Sequence, residues 1–441
     1  MRRIALAVTL SLVASIATGG LSGTYTIKPG GGGDFLSLYA AGEALDSAGI
    51  SGDCVFEIYG DTLDGSFGAD LVAGSDSWTT TFRPGPGEDP VILGDEFYGG
   101  GYHNVKIEEL RFVTTWITVA SCSGWRISRC RFSTHDWGVK FEGPCACDTL
   151  DGNTFDVWGT GMGHYPIVVL ETGSDILICN NMFGDDSCGV GPLVEFDAVR
   201  NARFVFNTLW LSPLEVAERS CLWLEGQVPT EVRNNIFALS HLADTTYACV
   251  SVSPTVDSLL LDNNCYYVES LGYIGARPFY PDLYDWDAWR GFGFEANGIN
   301  ADPMFVSATD LHLRHGSPCN TRATPIPGIW YDIDGDPRDP THPDMGADEI
   351  VGGAVEETPN AAARTTNVPT IVRGVLFLPV ASRDEAEATS VLLDISGRKV
   401  LDLRAGANDV RQLAPGVYFV RPEPSAVSRQ PSAVTKVVLA R

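Results

Sequence analysis

Five short segments of the 441-residue chain share one rhythm: Val139-Lys-Phe-Glu142, Val168-Val-Leu-Glu171, Val194-Glu-Phe-Asp197, Leu222-Trp-Leu-Glu225 and Val250-Ser-Val-Ser253. Alternation puts the two apolar residues of each segment on one side of a strand and the other two on the opposite side. Stacked in register, Glu142, Glu171, Asp197 and Glu225 form one outward column. Lys140, Val169, Glu195 and Trp223 form a second beside it, with rungs about 4.8 Å apart. Carboxylates so close repel, so they either hold protons above their ordinary pKa or share a cation. Oxygen-only ligands suit Ca²⁺. Trp223 offers a broad apolar face that can stack on a sugar ring. Glu142, Glu195, Asp197, Trp223 and Glu225 are therefore candidate binding residues. Lys140 and Glu171 are the candidate catalytic pair. The alternative is a solvated acidic edge that keeps a sheet soluble, and no set of metal ligands is assigned.

Other constellations carry less. Asp332, Asp334 and Asp336 have the opening rhythm of a Ca²⁺ loop, but Pro337 stands where an EF-hand needs Gly and Pro343 where it needs Glu. A structural cation or plain turn capping are the readings left there. Gly31–Gly33 lacks the spacing and Lys of a phosphate loop. His135-Asp136 and His164 read as turn residues. None of the eleven cysteines shows C-x-x-C spacing, which argues against structural zinc. Cys221 and Cys249 occupy matching positions 28 residues apart, a candidate vertical disulfide.

The elements that would position these residues form an irregular repeat. An apolar anchor closes a short strand at Phe112, Phe132, Phe155, Phe183, Leu209, Phe237 and Tyr266, with spacings of 20, 23, 28, 26, 28 and 29 residues. Such periods indicate a solenoid with one coil per repeat. Asn153, Asn181, Asn207, Asn235 and Asn264 stand two residues before their anchors. Asn tolerates left-handed backbone and hydrogen-bonds locally, so a stacked Asn ladder is expected at one corner. Val139, Phe141, Val168, Leu170, Val194, Phe196, Leu222, Leu224, Val250 and Val252 are expected inside. Before the coils, Asp34 is expected to cap a helix carrying Phe35, Leu38, Ala41 and Leu45 on one face.

The Asn-x-Phe ladder, the capped N-terminus and the segments Asn300-Ala-Asp-Pro-Met-Phe305, Asp332-Ile-Asp-Gly-Asp-Pro-Arg338 and Pro343-Asp-Met-Gly-Ala-Asp-Glu349 resemble the right-handed parallel β-helix superfamily. That superfamily includes pectate-lyase-like enzymes and surface carbohydrate-binding proteins. The resemblance spans about 24–350 and implies an all-β chain, a right-handed parallel β-helix, whose partner is extracellular polysaccharide. Gly184-Asp185-Asp186 resembles the paired aspartates of polygalacturonase-type hydrolases, but no Gly-His-Gly follows it. A lyase of this kind needs a base for the proton α to a uronate carboxylate, and Lys140 is the basic residue beside the acidic column. The function expected is binding, with lyase or hydrolase cleavage as its enzymatic form. The alternative is a non-catalytic adhesin or envelope structural protein.

Asp394-Ile-Ser-Gly-Arg-Lys399, Leu413-Ala-Pro-Gly-Val-Tyr-Phe419 and Lys436-Val-Val-Leu-Ala-Arg441 resemble the C-terminal sorting domain of type IX secretion substrates. This implies a small β-sandwich that engages secretion machinery; a generic Ig-like sandwich is the alternative. At the other end, Arg2 and Arg3, the apolar run Ile4–Ala17 and Thr18-Gly-Gly20 read as a secretory signal. The expected organisation is a signal peptide at 1–20, a cap and first coils at 21–100, and coils at 101–270. A closing segment follows at 271–350, then a linker at 351–372 and the C-terminal β domain at 373–441.

Composition agrees. The net charge is −26 from 30 Lys+Arg and 56 Asp+Glu. Such acidity excludes nucleic acid, which needs a basic face. No later stretch approaches a transmembrane span. Eleven cysteines suit an oxidising compartment. A secreted or cell-surface monomer is expected. Residues 351–441 hold 11 Lys+Arg and 9 Asp+Glu, so the first 350 carry 19 and 47, a net of −28. The acidity therefore belongs to the coils.

Overall fold

Each coil turns its first corner at one residue. Glu109, Arg129, Asn180, Phe206, Asn234 and Asn263 have φ between 53° and 60°, and Gly152 has φ 67°. This left-handed backbone is favourable for Gly and tolerable for Asn. The computed structural model describes residues 19–134, 137–157, 166–185, 192–212, 219–226, 230–240, 247–254, 256, 258–269, 272–277, 282–351, 370–373, 375–378, 390–394, 398–404, 406–410, 413–414, 416–422 and 435–440. The expected signal run, His135-Asp136, His164, Asp186, most of the expected linker and parts of the C-terminal motifs lie outside them. The chain divides into two compact units, Met1–Gly352 and Gly353–Arg441.

Unit one is a parallel β-solenoid, as expected. The coil Val105–Glu108, Arg111–Val113, Trp116–Ala120 shows the pattern. Its three strands belong to three sheets, which have, in coil order, ten, ten and eleven strands among the described residues. Sheets are called first, second and third here by their order within a coil. All ten residues expected inside are buried. Phe112, Phe132, Phe155 and Phe183 stack with centroids 5.0, 4.7 and 4.6 Å apart. Offset stacking of this kind adds to the gain from burial.

The Asn ladder is continuous. Nδ2 of Asn153, Asn181, Asn207 and Asn235 donates to Oδ1 of the next Asn at 2.9, 3.0, 3.2 and 3.0 Å. The same Oδ1 atoms accept the preceding Asn backbone N–H. The ladder ends on a residue outside the repeat, Glu295. Glu295 Oε1 accepts from Asn264 Nδ2 at 2.8 Å and from Tyr266 Oη at 2.8 Å, and Oε2 accepts from Asn264 N at 3.1 Å. Burial raises its pKa to about 7 despite these bonds.

At the N-terminal end the helix Leu38–Ala48 buries Leu38, Ala41 and Leu45. Its cap is Ser37, whose Oγ accepts from Ala40 N at 3.1 Å. Asp34 instead accepts from Thr26 N and Oγ1 at 2.8 and 2.9 Å. The expectation for Asp34 is corrected: the carboxylate lies three residues too early and closes the preceding turn. Cys221 and Cys249 do fall opposite each other, between the pairs Ser220↔Ala248 and Leu222↔Val250. No bridge joins them. Cys221 Sγ donates to the Ala238 carbonyl, and Cys249, a free thiol, donates to Phe237 and Tyr267.

The closing segment covers the outer side of the second sheet over its later rungs. Met182, Trp210 and Ala238 point out from that sheet and pack with Leu311 and Ala347. Arg338 acts as the clamp. Its guanidinium lies 4.1 Å from the Phe206 ring centroid. It donates to Asn180 Oδ1 at 2.9 Å, to the Gly346 and Ala347 carbonyls at 3.0 Å each, and to Glu349 Oε2 at 3.3 Å. The first sheet instead carries charge pairs across rungs, including Arg126–Asp151 at 2.7 Å and Arg203–Glu231 at 2.8 Å.

Unit two is a small, largely antiparallel β region. Ser390–Leu393, Lys399–Leu403, Gly416–Pro422 and Thr435–Ala440 pair antiparallel, with Thr370–Arg373 added in parallel. Leu392, Leu403, Val410, Tyr418 and Val420 form its core. Among the described residues no helix is long and apolar enough to cross a membrane.

Candidate functional site

The outward face of the third sheet assembles the residues the sequence singles out. Lys140 pairs with Val169, Val169 with Glu195 and Glu195 with Trp223. This is the expected second column. Asp197 pairs with Glu225, while Glu142 and Glu171 each follow the paired residues Phe141 and Leu170. A register shift after Phe141 accompanies Gly143, whose φ is 70°. The column therefore bends there.

Lys140 ties the upper part together. Its Nζ lies 3.1 Å from Glu142 Oε1 and 3.0 Å from Glu171 Oε1. It also lies 5.5 Å from the Trp137 ring centroid, within cation–π range. Burial disfavours the Lys140 charge, but the hydrogen bonds to Glu171 and Glu142 outweigh it and hold the pKa above its ordinary value. An ammonium held this way donates hydrogen bonds and steadies negative charge; it is poorly suited to taking a proton.

Below it the carboxylates crowd. Burial, then the charges of Glu225, Asp197 and Glu171, raise the Glu195 pKa. Burial, then Glu225 and Glu171, raise that of Asp197. Trp223 Nε1 donates to Glu225 Oε2 at 3.3 Å, which orients the indole. Glu195 thus keeps its proton to higher pH than an ordinary glutamate, as a proton donor requires.

The structure adds residues that the sequence reading passed over. Trp116 packs edge-on to Trp137 with centroids 6.1 Å apart. Glu96 Oε1 accepts from Trp116 Nε1 at 3.1 Å and from the Thr118 hydroxyl. Trp116 and Thr118 sit one rung above Lys140, on a strand paired with Val139–Ala146. Ile117 and Val119 alternate as the later strands do, so extending the outward columns upward would have found them. Their coil lacks the Asn corner, which is Leu110 there and Cys130 in the next. From the rung of Trp116 to that of Trp223 is four rungs, about 19 Å.

Of the other candidates, Asp185 closes the strand Met182–Asp185 on the second sheet, remote in the coil from the acidic column. Asp332 is a turn cap: its Oδ1 accepts from the N–H groups of Asp334 and Asp336 at 3.0 and 2.8 Å.

No protein-family model and no curated protein matches this chain. Among solved structures, an alginate lyase from Paenibacillus sp. str. FPU-7 aligns at 13% identity with a TM-score of 0.30, covering 63% of this chain and 99% of that one.

Proposed function

We propose that the third-sheet face of the solenoid binds extracellular polysaccharide. The observation that carries this reading is the run of half-buried Trp116, Trp137 and Trp223 beside Lys140, Glu142, Glu171, Glu195, Asp197 and Glu225 along successive rungs. Indole faces stack on sugar rings, and carboxylates accept hydrogen bonds from ring hydroxyls. Five carboxylates against one ammonium favour a neutral glycan. A uronate polymer would need Ca²⁺ between its carboxylates and these. Any bond-breaking step would draw its proton from Glu195, with Lys140 steadying charge beside Glu171.

The test is a glycan panel assayed with and without Ca²⁺, reading tryptophan fluorescence, unsaturated-product absorbance and reducing ends. Saturable quenching that is lost in Trp137→Ala and weakened in Lys140→Met supports the reading. Binding that survives both substitutions, or none across neutral and acidic glycans, overturns it. Product formation lost in Glu195→Gln would make the face catalytic. Export through the N-terminal signal and sorting through the C-terminal unit belong to the same proposal. Deleting Lys436–Arg441 should strand the chain inside the envelope, and normal surface delivery would refute the sorting role.

A further inference from the structure

The closing segment brings together a histidine and two aspartates that the polysaccharide reading does not use. His312 lies on the strand Asp310–Leu313, Asp334 lies in the turn after Asp332, and Asp348 precedes Glu349. One ligand atom from each lies within 4.8 Å of the other two. His312 Nε2 is 3.0 Å from Asp334 Oδ2. Tetrahedral ligands around an ion with bonds of about 2.1 Å stand roughly 3.4 Å apart, so this pair need open by only about 0.4 Å to hold one. On the far side of the ring, His312 Nδ1 meets Asp310 Oδ1. A carboxylate on one imidazole nitrogen fixes the ring and presents the other nitrogen as a ligand, the usual support of a metal-bound histidine.

The surroundings fit an ion. Asp348 is 8% exposed, and its Oδ2 is fixed by Leu313 N at 2.7 Å. The side chains of His312 and Asp334 are 37% and 55% exposed, which leaves a path in and room for water ligands. Three carboxylates, those of Asp310, Asp334 and Asp348, surround one imidazole, so a doubly charged cation offsets two of the three negative charges. We propose that His312, Asp334 and Asp348 bind one divalent transition-metal ion of the zinc class, with Asp310 as positioning residue. One nitrogen and two oxygens match zinc and its neighbours, whereas Ca²⁺ takes six to eight oxygens. The ligands lie 22 and 14 residues apart in sequence, so the ion would staple three stretches of the closing segment.

The test uses the full chain, stripped with EDTA and titrated with Zn²⁺ by calorimetry, with melting followed in parallel. One Zn²⁺ per chain and a raised Tm are expected. His312→Gln and Asp334→Asn should each weaken Zn²⁺ binding at least tenfold and abolish the Tm shift. Asp310→Asn should weaken binding by about tenfold, as loss of a supporting carboxylate does. His342→Gln, at an exposed histidine elsewhere in the segment, should bind as the unsubstituted chain does. If His312→Gln fails to fold, the half-exposed Asp334→Asn decides. A Tm insensitive to Zn²⁺ would show a protonated His312 bridging Asp310 and Asp334 as a plain ion pair, and overturns the proposal. Equal Zn²⁺ affinity in Asp334→Asn, or preference for Ca²⁺, overturns it too.

Discussion

Replacing Glu295 with Gln should change how stability depends on pH, and the structure gives the size. The Glu295 carboxyl has no exposed surface, and burial moves its pKa from 4.5 to about 7. In the unfolded chain the proton leaves near pH 4.5; in the folded chain it stays to about pH 7. Between those values the native state binds the extra proton, so stability falls as pH rises. The contribution is fully present below 4.5 and gone above 7. A shift of that size corresponds to about 3 kcal/mol. Gln keeps the shape and cannot titrate. It also turns one acceptor into a donor, so one of the three bonds from Asn264 N, Asn264 Nδ2 and Tyr266 Oη is lost. An unmet buried donor costs about 1–3 kcal/mol at every pH. Glu295→Gln should therefore be less stable than the parent at pH 5, and the difference should move in its favour by about 3 kcal/mol by pH 8. Urea unfolding at both ends of that range, followed by tryptophan fluorescence, reads this directly. The ring of Trp286 lies 5.8 Å from that of Tyr266 and reports on the same region. A difference between the two proteins that stays constant from pH 5 to 8 would refute a titrating Glu295.

Three further outcomes follow from the same kind of reasoning. Arg338→Ala leaves Glu349 buried without its partner and should cost about 3–5 kcal/mol in urea unfolding; a loss below 1 kcal/mol would mean the clamp is dispensable. Asn207→Ala strands Asn181 N and removes one acceptor of Asn181 Nδ2, which keeps the Leu150 and Cys179 carbonyls; Asn153→Ala removes the acceptor of a single donor among the described residues, Cys130 N. Asn207→Ala should therefore be the more destabilising of the two, and equal unfolding midpoints would contradict a load shared along the ladder. Removing the Glu225 charge in Glu225→Gln should lower the pKa of Glu195 and Asp197, because that charge helps to raise both. Carboxyl chemical shifts followed against pH should show both titrations moving toward lower pH, and unmoved titrations would sever the electrostatic link.

What was legible in the sequence follows from what repeats. Val139, Phe141 and their counterparts alternate strictly and recur with the coil, so their burial and the register of the outward columns could be read without coordinates. The Asn corner was legible for the same reason. Glu295 was not, because it ends the ladder once and sits 31 residues beyond Asn264, after a non-repeating stretch. Trp116 and Trp137 escaped because the coils near them replace Asn with Leu110 and Cys130. Cys221 and Cys249 show the converse: spacing brought them to one level, but spacing is silent on whether each thiol meets the other or a carbonyl. Asp34 and Ser37 are both good cap residues, and only the turn to Thr26 decides between them.

The three sheets divide the work through the outward partner that each coil position carries. On the second sheet that partner is polar at Arg111, Arg131 and Asp156 but apolar further along, at Met182, Trp210 and Ala238, and there the closing segment covers it. On the first sheet it is charged and finds an opposite charge one rung away, as Arg203 finds Glu231. On the third sheet it is aromatic or acidic, with Lys140 the cation that pairs with two of the acids. Neither cross-rung neutralisation nor an apolar cover suits such a face, because like charges recur along the column and repel. A repulsive column persists only where something fixes the register. Here that is the buried Asn and Phe stack, since a slip of one residue would turn every outward side chain inward. Asn153, Asn181 and Asn207 lie in the coils that present Glu171, Glu195 with Asp197, and Trp223 with Glu225. The spacing of the candidate site is thus inherited from the ladder inside it. A cut in the ladder at Asn181 should therefore loosen the Glu195 and Asp197 rung before it unfolds the unit.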